Sequence, residues 1–152
     1  MNREKIVSAS PSGRLRILFL CTGNSCRSQM AEGFAKALRG DRIEAFSAGT
    51  VPQGLNPNAV RVMAELGIDI SMQRSKYLEE FLGQPLDYVI TVCGHANETC
   101  PVFPGQAKRL HVGFDDPPAL AAKLTGESAR LDCYRRVRDT SLMPLLCYNT
   151  KD

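Results

Sequence analysis

The sequence predicts an α/β domain: a four-stranded parallel sheet with helices on both faces. Two observations carry this. Short apolar segments alternate with segments of helical spacing along the chain, the pattern of a parallel sheet joined by crossover helices. The 152 residues, 43% hydrophobic and 23% charged, suit one domain around one core. A third observation points to function. Reactive side chains stand at the ends of three strands, and open α/β sheets bind ligands beyond the carboxyl ends of their strands.

The elements follow in order. Residues 1–13 are polar and rich in Ser, Pro and Gly, so a flexible tail is expected before a domain over 14–140. Leu15–Leu20 is short, nearly all apolar and ends at Cys21, a buried strand. A turn of small residues leads into a helix over Ser28–Leu38, with Met30, Phe34, Ala37 and Leu38 on one face and Gly40 at its end. Ile43–Ala48 is a second strand, closed by Gly49. Asn56-Pro57 opens a helix with Val60, Met63, Ala64 and Leu66 as its apolar stripe, capped by Gly67. Ser71–Lys76 is irregular, and a short helix over Lys76–Leu82 is broken by Gly83 and Pro85. Asp87–Cys93 and Arg109–Gly113 are the third and fourth strands. Pro117-Pro118 opens a helical region, and Glu127–Arg138 is the last long helix. Pro144 should end or kink that helix, leaving 141–152 as an atypical tail.

Composition excludes several classes. The net charge is +3 and the pI about 8.6, with no Lys/Arg block longer than Arg135-Arg136. That argues against a nucleic-acid partner and suits a small anion. The longest apolar run, Ile17–Cys21, is far too short for a membrane helix. The first fourteen residues carry Arg3, Lys5 and Arg14 but no apolar stretch of signal length, so a cytoplasmic location is expected. Six cysteines in such a setting point to redox, metal or nucleophilic chemistry. Cys133 and Cys147 read as small core residues.

The main motif is Cys21-Thr22-Gly23-Asn24-Ser25-Cys26-Arg27, between a strand and a helix. A tetrahedral oxyanion needs several donors aimed at one point. A tight loop at a helix N-terminus supplies backbone N–H groups and the positive end of the helix dipole. Gly23 and Asn24 tolerate the backbone angles of such a curl, and Arg27 can clamp two oxygens with its planar fork. The same field favours the nucleophilic thiolate of Cys21 over its thiol, and a hydrogen bond from Ser28 would favour it further. The third strand delivers Cys93, with Cys100 seven residues on, and the fourth delivers Asp115 and Asp116. Cys93, His95 and Cys100 also admit a zinc reading, but structural zinc wants two close pairs and no second pair is near. No metal is expected.

These residues carry a resemblance. The strand followed by Cys-Thr-Gly-Asn-Ser-Cys-Arg-Ser-Gln-Met-Ala-Glu-Gly-Phe, then Ser47-Ala48-Gly49 and a later Asp-Pro, resembles the low-molecular-weight tyrosine phosphatase superfamily. Within it the chain is most similar to thioredoxin-coupled arsenate reductases, from about Arg14 to Arg138. The resemblance implies a single phosphatase-like domain, with Thr22, Gly23, Asn24, Ser25, Cys26 and Arg27 binding arsenate, or phosphate or sulfate as analogues. It implies Cys21 as nucleophile and Asp116, next to Pro117, as the acid that protonates the leaving oxygen. It implies a relay in which Cys93 attacks Cys21 and Cys100 then attacks Cys93, with no tightly bound cofactor and with reducing equivalents from thioredoxin. A disulfide needs Cα atoms about 4.4–6.8 Å apart. Seven helical residues rise about 10.5 Å, so the 93–100 segment would have to unwind on oxidation.

A phosphatase acting through a phospho-cysteine is the alternative, and a non-catalytic oxyanion or arsenite sensor is a third. Two features favour the reductase: the second thiol pair, and Pro118-Ala119-Leu120 after the acid, which offers no aromatic ring to hold a phenol. Some reductases of the family bind potassium under the loop at positions matching Asn24, Glu32 and Ser47. They carry Asp where this chain has Lys76, whose ammonium can stand in the cation position.

Overall fold

The computed structural model describes residues 13–94, 107–113, 115 and 117–149, with 141–149 described by their backbone only. The order is β1 (Leu15–Cys21), α1 (Arg27–Arg39), β2 (Ile43–Gly49), α2 (Pro57–Ala64), a 3₁₀ turn (Leu78–Phe81), β3 (Tyr88–Thr91), β4 (Lys108–His111), α3 (Pro117–Ala121) and α4 (Glu127–Asn149). The strands form one four-stranded sheet in the order β2-β1-β3-β4, every pair parallel. The chain builds outward from β1 to β2, then crosses back to lay β3 on the other side of β1. That reversal opens a crevice at the carboxyl ends of β1 and β3.

Ile17, Leu18, Phe19 and Leu20 are all buried. Consecutive strand residues face opposite sides, so both faces of β1 are covered. α1 packs along β1 and β2, and α4 packs on α1, α2 and α3. The Phe81 ring of the 3₁₀ turn meets Phe46 of β2 at 5.5 Å. Among the described residues no helix is long and apolar enough to cross a membrane.

Several expected details differ. On α1 every residue from Ser28 to Ala35 is buried, whereas Ala37 and Leu38 are exposed. Enclosure by the sheet, α2 and α4 covers the first turns on every side, and the last turn runs out past them. α2 buries Ala59, Val62 and Met63, while Ala64, its last residue, faces away from them and Leu66 lies past its end, both exposed. The expected helix at 76–82 is a single 3₁₀ turn, and β3 and β4 are shorter than their apolar runs. Pro144 does not end the last helix, which continues to Asn149. Proline's fixed φ is a helical one, so it removes one backbone bond without forbidding the helix.

Gly49 ends β2 where it meets the loop after β1. A Cβ there would lie 2.6 Å from the Thr22 carbonyl oxygen and 2.9 Å from the Asn24 nitrogen. Both are backbone atoms and cannot swing away. Gly49→Ala is expected to destabilise the fold by about 1–3 kcal/mol and to weaken inorganic phosphate binding, as read by thermal melts and calorimetry.

Glu65, just past α2, ties that helix to α4. It pairs with Arg135 and Arg138, each at 2.8 Å, and Arg138 also donates to the Val62 carbonyl at 2.9 Å. Hydrogen bonds from Arg135, and then from Arg138, hold the Glu65 carboxyl down to about 2 from 4.5. A carboxyl whose folded value is depressed stabilises the fold above its unfolded value and loses that contribution as pH falls toward the folded one. Glu65→Gln is therefore expected to flatten the fall in melting temperature between pH 4.5 and 2. A wild-type slope retained in the variant would contradict the assignment.

Candidate active site

β1 ends at Cys21, and the chain curls through residues 22–26 into α1, which begins at Arg27. Asn24 sits at φ 46°, the left-handed conformation that asparagine tolerates. The curl is held from outside by its carbonyls. Backbone N–H groups of Thr50, Val51, Gln53 and Asn56 donate to the carbonyls of Cys21, Thr22, Gly23 and Ser25 at 3.2, 2.8, 2.9 and 2.9 Å. Gln29 Nε2 donates to the Asn24 carbonyl at 2.9 Å. Every carbonyl from 21 to 25 is thus turned outward. In a planar trans peptide the N–H points opposite its C=O, so the amides of residues 22–26 turn inward and form an anion nest.

Cys21 is buried. Its Sγ receives the Asn24 N–H at 3.2 Å and lies 2.9 Å from Ser28 Oγ. The neighbours set the direction of that second bond. The Lys76 N–H donates to Asn24 Oδ1 at 2.8 Å, which orients the carboxamide. Asn24 Nδ2 then donates to Ser28 Oγ at 2.8 Å and to Ser47 Oγ at 3.0 Å. Ser28 accepts from Asn24 and keeps its own proton free for the Cys21 sulfur once that sulfur is a thiolate, and Ser47 donates to Glu32 Oε1. Two donors on one sulfur suit a thiolate acceptor.

Cys93 lies just past β3, buried, with Sγ 3.2 Å from Thr22 Oγ1. The second thiol therefore contacts the residue that follows the first, across the β1–β3 crevice. Cys26 is the buried N-cap position of α1, and Arg27 is half-buried on its first turn. Asp115 is exposed beyond β4. Cys100, Asp116 and His95 lie outside the described residues. Among the described residues no group of three or more His, Cys, Asp or Glu side chains gathers to hold a metal. His111 is exposed, with Nδ1 2.8 Å from Thr91 Oγ1.

Sequence reasoning missed the outer collar of the loop: residues 50–56, Gln29, and Ser75, whose hydroxyl donates to the Gly23 carbonyl at 3.1 Å. Most of these donors are backbone groups that any residue supplies. Gln29 left one signal, a carboxamide within a helix segment that is otherwise largely apolar.

A family model described as low molecular weight phosphotyrosine protein phosphatase matches residues 16–115. An arsenate reductase of Halalkalibacterium halodurans is 52% identical over 124 residues, 81% of this chain and 86% of that protein. Among solved structures, an arsenate reductase in the phosphate binding state superposes with a TM-score of 0.72 at 33% identity, covering 90% of this chain and 98% of that one. A thioredoxin-dependent arsenate reductase of Corynebacterium glutamicum gives 0.65 at 26% identity, covering 95% of this chain and 65% of that one. With this likeness added to the loop geometry, the chain belongs to the low molecular weight phosphotyrosine protein phosphatase family, on the branch that holds these arsenate reductases.

Proposed function

We propose that the protein reduces arsenate to arsenite with thiols of its own chain and is reset by thioredoxin. The observation that carries the reading is Cys93 against Thr22, beside a nucleophile already seated in an anion nest. The 52% identity to an arsenate reductase supports it, and the relative described as thioredoxin-dependent supports the choice of reductant.

Arsenate sits on the amides of residues 22–26, with Arg27 across two of its oxygens. The Cys21 thiolate, held by Ser28 and the Asn24 amide, attacks arsenic. An As–O bond breaks, and the oxygen leaves as water after Asp116 supplies a proton. The Cys93 thiolate then attacks the Cys21 sulfur. The S–As bond breaks, and its electron pair stays with arsenic, which departs as arsenite. The two sulfurs, each oxidised by one electron, are joined as a disulfide. Cys100 attacks Cys93 next, which frees Cys21 as a thiolate and leaves Cys93–Cys100 for thioredoxin to reduce. Chemistry reset by thioredoxin belongs in the reducing cytoplasm.

A coupled assay with arsenate, thioredoxin, thioredoxin reductase and NADPH tests this. The expected result is NADPH oxidation matched by arsenite. Hydrolysis of a small aryl phosphate without arsenite formation would make the protein a phosphatase, and anion binding with neither reaction would make it a sensor.

A further inference from the structure

Lys76 is a charged residue in an enclosed place. Its side chain is 11% exposed, against 52% for Lys36, the other lysine on Glu32. Its Nζ donates to the Arg74 carbonyl at 2.7 Å and lies 3.9 Å from Glu32 Oε1. Its backbone N–H holds Asn24 Oδ1, directly under the anion loop. Glu32 itself is buried and takes the Ser47 hydroxyl on Oε1 and Lys36 on Oε2. A buried carboxylate needs a compensating charge. Here it has two ammonium groups, and only that of Lys76 is enclosed.

This arrangement does not fit the potassium ion that some reductases of the family hold at the matching positions. An alkali cation would take carboxylate, carbonyl and hydroxyl oxygens. Lys76 Nζ already lies beside the Glu32 carboxylate and on the Arg74 carbonyl. A third cation beside Glu32, after Lys36 and Lys76, would meet the Lys76 ammonium at close range, with little left to neutralise.

The geometry points to Lys76 as a built-in cation, a positioning residue whose ammonium takes the place of an alkali ion under the anion loop. Its charge reaches the sulfur through one directed chain. Lys76 balances Glu32, Glu32 accepts from Ser47, and Ser47 accepts from Asn24. Asn24 in turn donates to Ser28, which donates to Cys21. The Glu32 carboxylate takes the Ser47 proton, which leaves Ser47 to accept from Asn24 and so helps hold the carboxamide in place under the loop. The inference concerns the loop alone and is read with inorganic phosphate, so it stands or falls separately from arsenate reduction.

The test compares wild type, Lys76→Ala and Lys36→Met in chloride salts of sodium and of potassium, reading melting temperature and the Kd of inorganic phosphate. Wild type and Lys36→Met are expected to give the same values in both salts. In sodium, Lys76→Ala is expected to bind phosphate about tenfold more weakly, the scale of one lost charge-assisted hydrogen bond, and to melt lower. Potassium should restore both quantities by entering the vacated space. Four results would overturn the proposal: wild type responding to potassium, Lys76→Ala binding phosphate normally in sodium, a loss that potassium repairs no better than sodium, or the same loss in Lys36→Met. Should Lys76→Ala not fold in either salt, Lys76→Gln takes its place in the test, and a Gln variant without the potassium-specific recovery overturns the proposal.

Discussion

Cys93→Ser is expected to abolish steady arsenate reduction, by roughly 10³-fold or more, while hydrolysis of a small aryl phosphate persists. Serine keeps the size of the side chain and can still meet the Thr22 hydroxyl, which lies 3.2 Å from the native sulfur. It cannot form a disulfide. Cys21 would attack arsenate as before, and the adduct would then wait for a second sulfur that never comes. The aryl phosphate needs no such partner, because water resolves its phospho-cysteine. The split between the two activities is the informative part, measured as kcat/KM for each substrate on one preparation. Loss of both would show that Cys93 supports the loop itself. Retention of both would remove Cys93 from the reaction.

Ser28→Ala should strike both reactions together. The side chain is wholly enclosed and makes two hydrogen bonds: it accepts from Asn24 Nδ2 and meets the Cys21 sulfur at 2.9 Å. Alanine removes one of the two donors on the nucleophile and leaves an Asn24 N–H without its acceptor. The first takes a hydrogen bond from the sulfur, and the second loosens the carboxamide that holds the curl. Removing one preorganised donor from a developing charge commonly costs on the order of 10²-fold in rate. A loss of that size is expected in kcat/KM for arsenate and for the aryl phosphate alike, with slower alkylation of Cys21 at neutral pH. A variant within twofold of wild type on both substrates would mean that the hydroxyl does not serve the sulfur.

The contrast between these variants mirrors what was legible in the sequence. β1, the loop and α1 could be read because local signals agree there: an apolar strand, a run of small residues and a helix beginning at Arg27. The placement of Ser28 on Cys21 followed from that, since seven residues along a strand–loop–helix turn leave few alternatives. The buried stripe of α2 was misjudged, because periodicity gives a face only once the helix's end is known, and Ala64 ends it sooner than the apolar residues suggest. The collar of residues 50–56 was invisible for a different reason. Its function is carried by backbone N–H groups, and only Gly49, with no room for a Cβ, records in its side chain how closely the two segments approach. Pro144 does not end its helix, because its fixed φ is already a helical one. Lys76 was legible only through the family resemblance, as a lysine where some relatives carry Asp, and its enclosure against Glu32 needed the fold.

The central claim is a relay of thiols, and one measurement addresses it directly. The fully reduced protein is mixed with one equivalent of arsenate in the absence of thioredoxin. The reaction is quenched with an alkylating agent, digested and mapped by mass, and the arsenic is speciated alongside. The account predicts one arsenite per chain, a linked peptide pair joining Cys93 to Cys100, and Cys21 recovered as its alkylated thiol. Arsenate left unchanged with all three cysteines alkylated would contradict it, as would arsenite formed while Cys93 and Cys100 remain separately alkylated.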